Sequence, residues 1–195
     1  MRNTYFNRWA TLAAAAGSLL FGGTLWANAK PDQQVRQVGA TSIVYHGPQV
    51  DIALSYRYPK FNPEGHWLML DTVMAAARDP IEVPRNAISL RTPSGLVIPL
   101  ATPREFNNGY RELAWSITKD NATREPLGLL LPLRYRLLRF FPPSGIGLMF
   151  DSEWLDDFHN SYGRLFFKLP GTIHKGTYEL LIHLPESNVV IPFTI

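Results

Sequence analysis

Cysteine is absent from this 195-residue chain. Its absence excludes disulfide staples, thiolate metal sites, a cysteine nucleophile and a lipid-modified N-terminal cysteine, so stability must come from core packing. Excess charge is missing too. The chain carries 19 Lys and Arg against 16 Asp and Glu, but Arg2 and Arg8 fall in a segment read below as removed, leaving 17 against 16. A balance of +1 supplies no electrostatic drive toward nucleic acid. No two of the five histidines stand four apart or form an H-x-H pair. Neither Ser94 nor Ser144 has the glycine two residues earlier that a nucleophile elbow needs, since Thr92 and Pro142 stand there. Both serines read as turn residues in Pro-Ser-Gly runs, and no catalytic set assembles from the sequence.

What is present begins at the N-terminus. Met1 to Arg8 holds two arginines and no acid, Trp9 to Trp26 is almost wholly apolar or small, and Ala27-Asn28-Ala29 follows. Basic, apolar, small is the order of an export signal, which places Lys30 onward outside the cytoplasm, periplasmic or secreted. The competing reading is an uncleaved inner-membrane anchor over residues 9–26. Those 18 residues meet only the lower end of the roughly 17–25 a bilayer requires, and glycines dilute them. Cleavage after Ala29 leaves 166 residues, enough for one domain with a sizeable core.

In the remaining chain, residues 30–48 begin with a polar, aperiodic run and read as a flexible N-terminal segment ahead of a single domain over 49–195. Val50 to Tyr58 alternates, with Val50, Ile52, Leu54, Tyr56 and Tyr58 on one face. Trp67 to Met74 is apolar on both faces, the mark of a central strand. Ile88 to Leu100 reads as a hairpin about Thr92-Pro93-Ser94-Gly95. The period then changes. Thr102-Pro103-Arg104-Glu105 is a capping box with proline at the first helical position, and Phe106, Tyr110, Leu113, Ala114 and Ile117 follow on one helical face. Leu133 to Phe141 reads as a second short helix between Pro132 and Pro142. Both lie in one block, 102–142, expected as a helical insertion covering an end or edge of the sheet. Strands return at 164–169, 177–184 and 189–195, the last placed at an edge or bulge by Pro192.

The run Leu165 to Pro170, followed by Gly176-Thr177-Tyr178-Glu179-Leu180, resembles a pattern of extracellular immunoglobulin-like domains. There a strand ends, a Gly/Pro-rich corner follows, and G-x-Y-x-L opens the penultimate strand. The hairpin is likewise similar to uncharacterised secreted bacterial β-sandwich proteins. The resemblance covers about a third of the chain. It implies a mainly β, immunoglobulin-like antiparallel sandwich, with Gly176 and Tyr178 as a structural corner whose tyrosine hydroxyl bonds back to the backbone. It brings no catalytic residue.

Three groups of residues could carry chemistry. Asp151, Glu153, Asp156 and Asp157 with His159 form the one dense acidic cluster. Asp151, Glu153, Asp157 and His159 are the candidate ligand set for Ca²⁺, or for a metal-dependent hydrolase. No D-x-D-x-D-G loop is present, and a solvated acidic turn with Trp154, Leu155 and Phe158 on its buried side fits the pattern better. Leu127 to Phe141, with Arg134, Arg136 and Arg139, could lie on a membrane, although core cover with solvated arginines explains it as well. Trp67, Trp115 and Trp154, with Tyr56 and Tyr58, could form an aromatic platform for a sugar or peptide. Most such residues fill cores, but Trp115 falls off the Phe106–Ile117 stripe. The resulting expectation is an exported, non-enzymatic sandwich that binds a protein partner in the envelope or periplasm. Alternatives are the metal-dependent or Ca²⁺-stabilised module and a carbohydrate-binding module. No cofactor is expected apart from that Ca²⁺, no nucleic acid, and membrane only through an uncleaved N-terminus.

Overall fold

The computed structural model describes residues 34–144 and 147–195. The expected export signal and its cleavage site lie outside the described residues. Fourteen regular elements follow in order: β1 (Gln34–Val38), β2 (Ser42–His46), β3 (Val50–Ser55), α1 (Arg57–Phe61), β4 (Trp67–Ala76), β5 (Ile81–Pro84), β6 (Ile88–Arg91), β7 (Val97–Pro99), α2 (Pro103–Asn121), β8 (Arg134–Leu137), β9 (Ser152–Leu155), β10 (His159–Lys168), β11 (Thr177–His183) and β12 (Asn188–Thr194). The fold is mainly β. A six-stranded sheet runs β1-β2-β3-β4-β10-β8, a four-stranded sheet β12-β11-β6-β7, and β5 pairs with β9. All pairs are antiparallel except β10 with β8.

Alternation decides what each sheet buries. Ile52, Leu54 and Leu70 of the larger sheet and Leu90, Leu180, Ile182 and Ile191 of the smaller one belong to a single core. Two sheets sharing one apolar interior is the arrangement of a β-sandwich. β4 is buried at all ten positions, as a strand apolar on both faces must be when both are covered. The hairpin closes where the turn residues stand: Gly95 N–H donates to Thr92 O at 2.9 Å with Gly95 at φ 86°.

The outer face of the six-stranded sheet is covered by α2 and the stretch after it. The register lays side chains in rows across that face. Val44, Ala53, Val73 and Tyr162 form one row over β2, β3, β4 and β10, and Ser42, Ser55, Asp71 and Arg164 form the next. Beyond these, Met69 lies opposite Phe166. The covering chain matches them. Leu127 and Leu131 pack on the first row; Asp120, Arg124 and Glu125 bond the second; and the Phe106 ring centroid lies 4.9 Å from that of Phe166. The N-terminus of α2 forms as its capping box requires: Thr102 N–H donates to Glu105 Oε2 at 2.9 Å, and Glu105 N–H to Thr102 Oγ1 at 3.2 Å. Those bonds from Thr102 hold the Glu105 carboxyl below its usual range.

Several expectations are corrected. Residues 34–46 are not a flexible segment but β1 and β2, with Ile43 and Tyr45 in the core. β3 ends at Ser55, and residues 57–61 turn into α1 with Pro59 buried within it. The second helix expected over 133–141 is absent; Arg134–Leu137 is instead an edge strand parallel to β10. The acidic stretch contains strand β9, not a helical turn, so burial alternates there in twos: Glu153 and Leu155 are buried and Trp154 is exposed; Phe158, beyond the strand, is exposed as well.

Tyr178 is buried, and its hydroxyl donates to His174 O at 2.9 Å while accepting from His174 N–H at 3.1 Å. Its ring stacks on Phe193 at 5.7 Å. Gly176, at φ 142°, passes so close to Pro93 that a Cβ there would meet its ring at 2.8 Å. Tyr178→Phe removes both hydroxyl bonds and leaves a backbone pair short of a partner, so chemical unfolding should show a loss of about 1–3 kcal/mol. An unchanged midpoint would mean that the corner contributes nothing to stability.

Candidate functional site

The four candidate metal residues are not brought together. Asp151 is largely exposed and paired with Arg85 at 3.3 Å. Glu153 is buried under Arg139, whose backbone N–H donates to it at 2.8 Å and whose Nε lies 3.5 Å away, with Arg136 Nη2 at 3.8 Å. His159 Nδ1 lies 3.0 Å from Asp156 Oδ1. Among the described residues no group of three or more His, Asp or Glu could hold a metal ion. Arginines take the carboxylates instead: Arg85 pairs with Asp151, and two others lie over Glu153. Arg136 and Arg139, expected in solvent, are those partners.

Arg85 shows how thoroughly this region is tied. Its guanidinium donates to Ala101 O at 2.7 Å, Phe140 O at 3.0 Å and Phe150 O at 2.7 Å, and lies 4.7 Å from the Phe141 ring centroid. Burial pulls its pKa down, opposed by the Asp151 carboxylate. It anchors the stretches 139–141 and 150–151 to the sandwich.

Among the described residues no histidine ring bonds a serine, threonine or tyrosine hydroxyl. Among the described residues His46, His159 and His183 bond Asp51, Asp156 and Asn188. Ser94 bonds Thr92 at 2.9 Å, and Ser144 bonds Tyr110 at 2.6 Å. Among the described residues no helix is long and apolar enough to cross a membrane.

A polar cluster lies beneath α2. Arg164 Nη2 is 2.6 Å from Asp120 Oδ2 and its Nε 3.2 Å from Asp71 Oδ1; Arg124 Nη2 is 2.7 Å from the same Asp71 oxygen. The Arg124 guanidinium also covers the Tyr162 ring at 4.0 Å. Burial, with Asp120 beside it, pushes Asp71 up to about 6 against the pull of the two arginines. Burial likewise lifts the Tyr162 hydroxyl to about 12. Next in the row, Glu125 accepts from Thr41, Ser42 and Ser55, the last at 2.7 Å. Burial alone would raise Glu125, but these three hydroxyls and the Arg57 charge hold it below the ordinary carboxylate range. The three carboxylates here all face donors of the protein. The cluster docks the outer layer.

The aromatic residues divide. Tyr56 and Trp67 are buried, and Trp154 lies in a separate cleft of about 940 Å³ bordered by Pro48, Pro80, Pro84 and Pro185. Trp115, by contrast, is 74% exposed and lines a groove of about 410 Å³ with Tyr58, Trp67 and Phe61, itself 62% exposed. The groove runs between α2 and the segment joining α1 to β4. Its polar lining is Asn62, Glu64, Glu112, Ser116 and Lys119. Lys119 Nζ donates to Asn62 Oδ1 and Asn62 Nδ2 to Tyr58 O, tying the two walls together. Trp67 lies against α2 at Gly109, where a Cβ would meet its ring at 2.4 Å, which accounts for a glycine inside a helix. Trp115 was marked in the sequence by its place off the helical stripe. Phe61 carried no such signal, because nothing local shows that residues 57–61 leave the strand to form α1.

No family model, curated protein or solved structure matches this chain.

Asp71 gives a pH test. Its folded-state pKa, about 6, lies above its ordinary value of 3.8. The native state therefore binds more protons between those values, and the contribution is full below about pH 4 and lost as pH rises through 6. Asp71→Asn keeps an acceptor for Arg124 without titrating. In parallel denaturant titrations, wild-type stability relative to Asp71→Asn should fall between pH 4 and pH 6.5. A difference that is flat, or rises, would contradict the assignment.

Proposed function

We propose that this chain is an exported, non-enzymatic binding domain, an immunoglobulin-like sandwich with an insertion around 102–142 whose α-helix is α2, and that it holds a partner in the cell envelope through the α1–α2 groove. The observation carrying the reading is the pair Phe61 and Trp115, both largely exposed and lining one cavity. Large aromatic surface left in water is unfavourable for folding, and Trp is enriched where binding energy concentrates. A cavity of this size falls within the roughly 300–1,000 Å³ range of ligand pockets. The rest of the reading draws on other features. The basic, apolar, small order of residues 1–29 supports export. The Gly176–Tyr178 corner supports the immunoglobulin-like class. The placement of α2 as a layer on the outer face of the six-stranded sheet supports insertion.

Export and binding are tested separately. Intact mass of the protein recovered outside the cytoplasm should correspond to a chain starting at Lys30; full-length protein confined to the membrane fraction would overturn release. A photo-crosslinking residue at position 115 should capture an envelope component that the same residue at position 148, exposed but outside the groove, does not. Equal capture at both positions, or none at 115, would remove the groove as the binding surface.

A further inference from the structure

The groove has a chemistry narrower than "partner". Glu64, Glu112 and Ser116 line it, yet none of their side chains makes a hydrogen bond or ion pair with another described residue, whereas those of Asn62 and Lys119 are engaged with each other. The free polar groups are thus mainly acceptors: two carboxylates and a hydroxyl. Beside them stand the exposed rings of Phe61 and Trp115. Both signs of charge stand around the groove. Lys119 lines it, the Arg57 guanidinium sits 5.4 Å from the Phe61 ring centroid and Lys168 Nζ 5.8 Å from that of Trp67, so cations flank the two carboxylates.

These features select among ligand classes. Polyanions such as nucleic acid or phosphorylated chains meet two unpaired carboxylates, whose charge repels theirs. Strongly cationic peptides meet Lys119 and Arg57. A neutral ligand with apolar C–H faces and many O–H donors fits both halves of the lining, because aromatic faces take the C–H surfaces and the free acceptors take the hydroxyls. We infer that the groove binds pyranose rings of a neutral glycan, stacked on Trp115 and Phe61 with hydroxyls donated to Glu112, Glu64 and Ser116. The inference rests on the reading of this groove as the binding surface and adds the ligand class.

Tryptophan fluorescence of the protein expressed from its full chain provides the test, with cellohexaose, chitohexaose and maltohexaose as probes and hexalysine as the competing class. Saturable quenching or a blue shift with at least one hexasaccharide is expected. Trp115→Ala should weaken binding at least tenfold by calorimetry, Phe61→Ala and Glu112→Gln several-fold, and Trp154→Ala not at all. Both aromatic truncations are at exposed positions, so unchanged thermal melts will show that they fold. Absence of saturable binding up to 10 mM of every hexasaccharide, binding indifferent to Trp115→Ala, or preference for hexalysine would each overturn the glycan assignment. If the sugars fail while position 115 still crosslinks specifically, the ligand class falls and the binding surface stands. If both fail, both fall.

Discussion

The register of one polar row fixes the helical layer on the six-stranded sheet. Ser42, Ser55, Asp71 and Arg164 stand side by side across four strands, next to the apolar row of Val44, Ala53 and Val73. Such a row can be buried only if something supplies matching groups, since unpaired charges in that position cost several kcal/mol each. Asp120, Arg124 and Glu125 supply them in one short stretch of chain. A one-residue slip of any of these strands would turn its member of the row to the wrong face. The ion cluster is thus better understood as specifying where the outer layer sits than as a large source of stability, and the raised Asp71 pKa fits that role.

The groove follows from this placement. With residues 120–125 pinned over the polar row, Phe106 and Leu113 of α2 fall on the apolar end of the sheet, and Gly109 admits the Trp67 indole. α2 is then held at a fixed distance from α1, and Trp115 projects from the face that does not touch the sheet. The groove is a consequence of docking an amphipathic helix whose off-stripe residue is a tryptophan. Its wall is rigid because the layer behind it is bonded at several points.

Local patterns in the sequence were readable and long-range ones were not. The hairpin about Thr92–Gly95 and the start of α2 at Thr102 depend on neighbouring residues, and both stand where turn chemistry and capping put them. β8 was not legible, because Arg-Tyr-Arg-Leu fits a short helix until β10, more than twenty residues later, offers a parallel edge. β9 failed for a related reason. Its acids look solvated in sequence, but Glu153 is internal because Arg136 and Arg139 reach it from another segment. β2 was missed as a five-residue strand following a polar run. For the groove, half was visible: Trp115 by its misplaced phase, while Phe61 depends on a bend after Ser55 that no local residue announces.

Amide hydrogen exchange in an Arg164→Gln variant tests the central claim, that the polar row fixes the helical layer on an independently formed pair of sheets. Protection should fall across 103–131 while β4, β10 and β11 retain theirs, since the substitution leaves Asp71 and Asp120 without their shared cation but spares the core between the sheets. Undiminished protection of α2 would show that the row does not dock it. A uniform loss over sheets and helix alike would show that the layer is no separate unit and that the account of its placement is wrong.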